Sequence, residues 1–285
     1  VARIWPPYFL ALIVALAGMF VDPALRANLT SLKPILWSFP AFVANYTIPG
    51  NGAPLSLLVM WSLCFEEQFY VILIAMYLLG TRQLTKYIVG AALLSIVVRV
   101  IATTVHPEWF SIFMLQMELH WRFDAIAWGC LAWIYHAPLL RFWGDAKHRW
   151  LSWPILALVL LACSVDPQTF PQRSVWYLAL APLFTALVSA LTFAGRFWLA
   201  RVLSWSPLVF IGSISYEVYL SHISVFRILA RLRLDHLPWL YYPLTFASSI
   251  FVGWLFHRIF SKPSQRMLRS WLDRPAPGRA STLAN

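Results

Sequence analysis

The chain has 285 residues, of which 60% are hydrophobic and only 12% charged, with a mean hydropathy of +0.68, whereas soluble domains run near half apolar and a quarter charged. That balance excludes a disordered chain, a secreted disulfide scaffold and a soluble nucleotide-binding enzyme, and it leaves an integral membrane protein. The 22 Lys and Arg against 11 Asp and Glu give a formal net charge of +11; they fall in short clusters between apolar runs, which indicates membrane topology and not nucleic-acid binding.

Apolar runs of roughly 17–25 residues carry a helix across a bilayer, and here they predict an all-α, polytopic transmembrane helix bundle of about eight spans. The runs cover 4–21, 55–80, 85–105, 120–136, 151–165, 174–194, 207–230 and 239–260. The first begins close to Val1, which is not an initiator methionine, so the chain is expected to be incomplete at its N-terminus. Between the first two runs, Trp37, Phe39, Pro40, Phe42 and Tyr46 suggest an interfacial or re-entrant element. Residues 1–274 are expected to form the membrane domain, and 275–285 a disordered cytoplasmic tail. Cys64, Cys130 and Cys163 sit singly inside apolar runs, without the spacing of a zinc site or a disulfide framework, and no metal is expected.

Lys and Arg accumulate on the cytoplasmic side of a membrane. With the N-terminus inside, fourteen of the 22 fall on cytoplasmic segments, among them Arg82, Lys86, Arg141, Lys147, Arg149, Arg196, Arg201, Arg258, Lys262, Arg266, Arg269, Arg274 and Arg279. Five, Arg26, Lys33, Arg173, Arg231 and Arg233, fall opposite, and Arg99, Arg122 and Arg227 lie within spans. This pattern predicts both ends in the cytoplasm.

An Arg, Lys or Asp at a helix centre costs about 2.5–3.5 kcal/mol on insertion, so charges kept there face a protein interior or a water-filled cavity. The spans hold Glu66, Glu67, Arg99, Arg122, Asp124, Glu217 and Arg227, together with His222. Residues three or four apart share a helix face. Ser62, Glu66 and Tyr70 therefore form one polar stripe, whereas Glu67 shares its face with Met60, Leu63, Val71 and Ile74. At the outer end of the fourth run, Glu118 stands four before Arg122 and His120 four before Asp124, predicting two acid–base pairs if the helix extends that far. Along the seventh, Ser213, Glu217, Ser221 and Ser224 mark a face that lines a cavity, with Ser215 and His222 beside it. His222 suits proton transfer near neutral pH. GxSxG, HExxH, Walker and GxGxxG patterns are absent.

Five strings in order, Arg3-Ile4-Trp5-Pro6 followed by Tyr8, WSLCFEEQFY at 61–70, RFDAIAWGCLAW at 122–133, ISYEVYLSH at 214–222 and KP at 262–263, resemble the landmarks of the acyltransferase type 3 family of membrane O-acyltransferases. The likeness runs along nearly the whole chain, and its most specific part is W-S-L-x-x-E-x-x-F-Y. It implies an enzyme of about ten helices that moves an acyl group, usually acetyl from cytoplasmic acyl-CoA, to a hydroxyl of a sugar or other acceptor. Glu66 corresponds to the glutamate of the W-S-L string, with Glu67 its variable neighbour; Arg122 and Asp124 match the fourth-span landmark, and His222 the last position of its own.

Two departures stand out. The resemblance implies two further helices at the start, the first bearing a basic residue and a His thought to serve in catalysis, after which this sequence is expected to begin, and Ser261 stands where the family usually has Glu before Lys-Pro.

On this reading Glu66, Arg122, Asp124 and His222 are the expected catalytic residues. Tyr70, Arg99, Tyr216 and Glu217 bind substrate, and Arg3 meets the phosphates of coenzyme A. No cofactor is permanently bound; acetyl-CoA or another acyl-CoA is the donor. The expected partners are the lipid bilayer of a bacterial inner membrane, a carbohydrate or glycolipid acceptor and acyl-CoA, with no nucleic acid. A transporter or flippase using the same buried charges, and a non-catalytic membrane subunit, are the alternatives.

Overall fold

The computed structural model describes residues 3–22, 26, 28–48, 55–107, 117–165, 167, 169–194, 197–232 and 236–272. Every regular element among the described residues is helical. The expected tail at 275–285 lies outside them, as do Arg196, Arg233, Arg274 and Arg279 of the charge pattern. Four helices are long and apolar enough to cross a membrane: Ser56–Leu79, Thr81–Val105, Gln172–Phe193 and Pro238–Ser270. Ser206–Ser213 and Ser215–Arg231, bent by 74°, form a fifth if they are one broken span.

The runs expected at 4–21, 120–136 and 151–165 form helices of 17, 16 and 13 residues. At 1.5 Å per residue the last is about 20 Å long, short of the roughly 30 Å hydrocarbon core. The described residues are thus all helical between turns, with four or five helices long and apolar enough to cross a membrane where eight spans are expected.

The chain divides into two compact units, one made of Val1–Leu36, Asn51–Met60 and Pro207–Asn285, the other of Trp37–Gly50 and Trp61–Ser206. In the first, α1 (Trp5–Val21) opens with prolines in its first turn, where a missing N–H is tolerated.

The second unit contains α2 (Trp61–Leu79), α3 (Leu84–Val105), α4 (Leu119–Ile134), α5 (His136–Gly144), α6 (Ser152–Ser164), α7 (Phe170–Phe193) and α8 (Trp198–Leu203). Gly80, at φ 149°, ends α2 in a backbone conformation that L side chains rarely adopt. The core of α2, α3 and α4 is Phe65, Phe69, Ile88, Leu119, Phe123 and Ala127, with the Phe69 and Phe123 rings 5.3 Å apart. A second cluster, Trp143, Val159, Leu187, Ala190, Ala194 and Phe197, joins α5, α6 and α7.

Helix α7 starts in a capping box: Thr169 Oγ1 accepts from the Gln172 amide at 3.4 Å, and Gln172 Oε1 from the Thr169 amide at 3.2 Å. A hydroxyl pair, Thr103 with Ser174 at 2.9 Å, ties α3 to α7. In the connection after α5, the Lys147 amide donates to Asp145 at 3.1 Å, which holds this carboxyl below the ordinary carboxylate range.

The interfacial element expected near 37–46 contains a 3-10 turn, Lys33–Ser38, and a short helix, Ala44–Thr47, neither long enough to cross. It is fastened to α2 through amides. Gln68 Nε2 donates to Asn45 Oδ1 and to the Phe42 carbonyl, both at 2.7 Å, while Asn45 Nδ2 donates to the Met117 carbonyl at 3.0 Å. Phe42 has a φ of 54°, a strained value for a bulky residue, and its carbonyl is one that Gln68 holds.

Returning to the first unit, α9 (Ser206–Ser213), α10 (Ser215–Arg231), α11 (Pro238–Phe256), a π-helical turn His257–Ser261 and α12 (Lys262–Leu272) follow. Helices α10 and α11 approach closely because Gly253 has no side chain; a Cβ there would lie 2.9 Å from the Val218 backbone nitrogen. Tyrosine hydroxyls fasten the rest: Tyr216 to the Ile4 carbonyl (3.0 Å), Tyr219 to Val59 (3.2 Å) and Tyr241 to Phe226 (3.1 Å). Asp22, just past α1, pairs with Arg231 at the end of α10.

Candidate active site

Helix α4 is broken at Arg122, whose φ of −132° and ψ of 16° are not helical. Arg99 of α3 reaches the break. It donates to the Trp121 carbonyl and forms two hydrogen bonds with Asp124, Nη1 to Oδ1 at 2.8 Å and Nη2 to Oδ2 at 3.1 Å. Insertion of a side chain into the backbone ladder is a recognised cause of a sharp kink, and a bidentate guanidinium–carboxylate pair is the strongest form of such a contact. Both partners are buried, at 0% and 1% exposure.

The same kink directs Arg122 to Tyr177 of α7, with its guanidinium carbon 3.9 Å from the ring centre. Arg122 also lines a cavity of about 430 Å³, together with Ser62, Glu66 and Tyr70 of α2 and the aromatic walls Trp61 and Phe65. The cavity thus combines one carboxylate, one guanidinium and two hydroxyls, set among rings. A carboxylate can take a proton from an attacking hydroxyl, and a fixed guanidinium can balance negative charge as it forms on a carbonyl oxygen. Asp124 does not line this cavity; both of its carboxylate oxygens accept from Arg99.

The acid–base pairs expected within α4 do not form. Glu118 has extended backbone ahead of the helix and accepts from Trp121 Nε1 at 2.8 Å, and His120 Nε2 stands 3.6 Å from Glu118. Spacing of four aligns side chains only along an unbroken helix, and this helix starts after Glu118 and breaks at Arg122.

The remaining expected residues lie in the other unit. His222 on α10 places Nδ1 2.6 Å from the Tyr219 carbonyl. A carbonyl only accepts, so Nδ1 is the donor in this contact. Tyr216 holds the start of α1, as above. Glu217 is buried, at 2%, and accepts from Nδ1 of His257 at 2.9 Å. Arg3 is exposed ahead of α1.

The stripe expected along 213–224 is divided. The 74° bend puts Ser213 on α9, and Ser221 and Ser224 line a separate, mostly apolar cleft with residues of α1 and α11.

Tyr177 and His257 have roles that sequence reasoning passes over. Tyr177 carries no charge to draw attention to it. His257 is an ionisable ring in the apolar run 239–260 and merits a partner on the same grounds as His222.

No curated protein and no solved structure matches the chain. The family model described as the acyltransferase domain, of type 3, matches residues 1–258. That match covers α1 to α11, including both the kinked α4 with its cavity and the helix that carries His222. The protein therefore belongs to the acyltransferase type 3 family, membrane enzymes that transfer acyl groups other than amino-acyl groups.

Proposed function

We propose that the protein moves an acetyl group from acetyl-CoA to a hydroxyl of a carbohydrate or glycolipid of the bacterial cell envelope. The observation that carries this reading is the cavity shared by Glu66, Arg122, Ser62 and Tyr70. Glu66 takes the proton as the acceptor oxygen bonds to the thioester carbonyl. Arg122 balances the oxyanion of the tetrahedral intermediate. As the carbonyl re-forms, the carbon–sulfur bond breaks and the thiolate of coenzyme A leaves, taking up the proton. His222, on α10 of the other unit, is a candidate proton carrier by its side-chain chemistry alone. Tyr70 and Ser62 orient the acceptor hydroxyl.

The basic residues favour an inner-membrane protein with both ends in the cytoplasm, where acetyl-CoA is found. In this arrangement α1, α4 and α6, apolar but short, complete eight crossings with their flanking residues.

The test is acetyl transfer in vesicles of the purified protein, supplied with labelled acetyl-CoA outside and envelope glycan or glycolipid as acceptor. Label on the acceptor, lost in His222→Ala while the variant still inserts, is the expected result. Movement of the glycan across the vesicle without label would overturn this reading in favour of a transporter.

A further inference from the structure

A second cavity, about 430 Å³, with basic side chains at an otherwise mostly apolar wall, lies in the unit that contains α10 and α11, and the proposed acyl transfer does not use it. Its polar lining is Ser213, His257, Arg258 and Lys262, against Phe210, Ile214 and Trp254. The π-helical turn His257–Ser261 builds one wall. The Lys262 amide bonds back five residues to the His257 carbonyl, and a turn of that pitch brings together residues five apart that an α-helix would separate. His257 and Lys262 are such a pair. Arg258 lies against the Trp254 ring, its guanidinium carbon 5.4 Å from the centre.

Behind this wall, buried Glu217 accepts from His257 Nδ1 at 2.9 Å, which fixes the ring and leaves Nε2 for the cavity. Arg258, Lys262 and an imidazole oriented by Glu217 therefore line one cavity. Ser261, fully buried in the same turn, is neutral, and no carboxylate is among the described residues that line the cavity. Tyr216 ties Ile4 to the first turn of α10, adjacent to Ser213 and Ile214, which places Arg3 at the same end of the unit.

We infer that this cavity binds a phosphate ester anion, with Lys262, Arg258 and His257 as donors and Glu217 as the positioning residue for His257. Lysine and arginine around an anion of this kind form charge-assisted hydrogen bonds, and the aromatic face keeps the guanidinium flat against the wall. The phosphates of an acyl-CoA and the headgroup of an anionic lipid share this chemistry. The first source rests on the donor proposed above; the phosphate site does not.

The test uses the full chain in phosphatidylcholine nanodiscs. Coenzyme A is titrated by calorimetry, and retention of phosphatidylglycerol is followed in parallel discs by mass spectrometry. Arg258→Gln and Lys262→Gln, both at exposed positions, are compared with Glu217→Gln and with Glu67→Gln. A loss of about tenfold or more in coenzyme A affinity in the first two, a smaller loss in Glu217→Gln and none in Glu67→Gln, supports the site and identifies the nucleotide. Reduced lipid retention in the same two variants, with coenzyme A binding unchanged, supports the site with a headgroup as its occupant. Folded Arg258→Gln and Lys262→Gln proteins that bind both ligands as the parent does would overturn it. Failure of acetyl transfer in vesicles, with binding intact, would count against the proposed reaction and not against this site.

Discussion

Asp124 accepts two hydrogen bonds from the guanidinium of Arg99, at 2.8 and 3.1 Å, across the interface of α3 and α4, and neither side chain is more than 1% exposed. Removing one member of such a pair leaves an uncompensated charge in a low-dielectric interior, a loss of about 3–5 kcal/mol. Asp124→Asn and Arg99→Leu are each expected to lower the unfolding midpoint sharply in detergent. The double substitution Arg99→Leu with Asp124→Leu should cost less than the sum, because no charge is then stranded. Additive losses in chemical denaturation would show that the pair is not coupled.

Glu66 and Glu67 are neighbours in sequence, yet only Glu66 lines the cavity with Arg122. A general base contributes about 10²–10⁴ to a rate. Glu66→Gln is therefore expected to reduce the turnover of acetyl transfer by that range with little change in expression or melting temperature. Glu67→Gln should stay within a fewfold of the parent. Equal losses in the two variants, measured in the same vesicles, would remove Glu66 from the proposed role.

The polar stripe of α2 was legible because α2 is an unbroken helix, so spacing of three and four translates directly into a shared face. Partnering across helices was not. Asp124 finds its cation 25 residues back, at Arg99, and its own sequence neighbours gave no indication of this. Breaks were the other obstacle. Neither Arg122 nor Ile214 is a glycine or proline, yet α4 kinks at the first and the α9–α10 bend falls at the second. At Arg122 the cause is an inserted side chain from another helix, whereas the bend at Ile214 follows a Gly212–Ser213 pair, and the Ser213 and Ser215 hydroxyls donate to the Phe210 and Gly212 carbonyls. Hydropathy located the apolar runs well, but it did not separate helices that are long enough to cross from shorter ones such as α6, since both are equally apolar.

Tyr177 is 6% exposed and has the Arg122 guanidinium 3.9 Å from its ring centre. The contact depends on the ring face, which phenylalanine retains. Tyr177→Phe is expected to leave kcat within a fewfold, whereas Tyr177→Leu frees Arg122 and lowers kcat more than it raises KM. Arg122→Lys should behave like Tyr177→Leu, since an ammonium lacks the planar group that stacks. Steady-state kinetics on the three variants checks this, and a Tyr177→Leu enzyme with parental kcat would show that the ring does not position the guanidinium.

Gly253 lies where α11 meets Val218 of α10, and a Cβ at that position would sit 2.9 Å from the Val218 backbone nitrogen. Backbone cannot yield as the end of a side chain can, so Gly253→Ala must push the two helices apart. Overpacking of this kind costs about 1–3 kcal/mol, more than the roughly 1 kcal/mol that alanine regains in helix propensity. The same interface holds His257 against Glu217, so the displacement also loosens the wall of the basic cavity. Gly253→Ala is expected to lower the melting temperature and to weaken coenzyme A binding, while Gly90→Ala, where nothing lies within 4 Å of an added Cβ, should leave binding unchanged and raise or preserve the melting temperature. The comparison of the two alanines by thermal unfolding and calorimetry separates close helix approach from the general effect of removing a glycine.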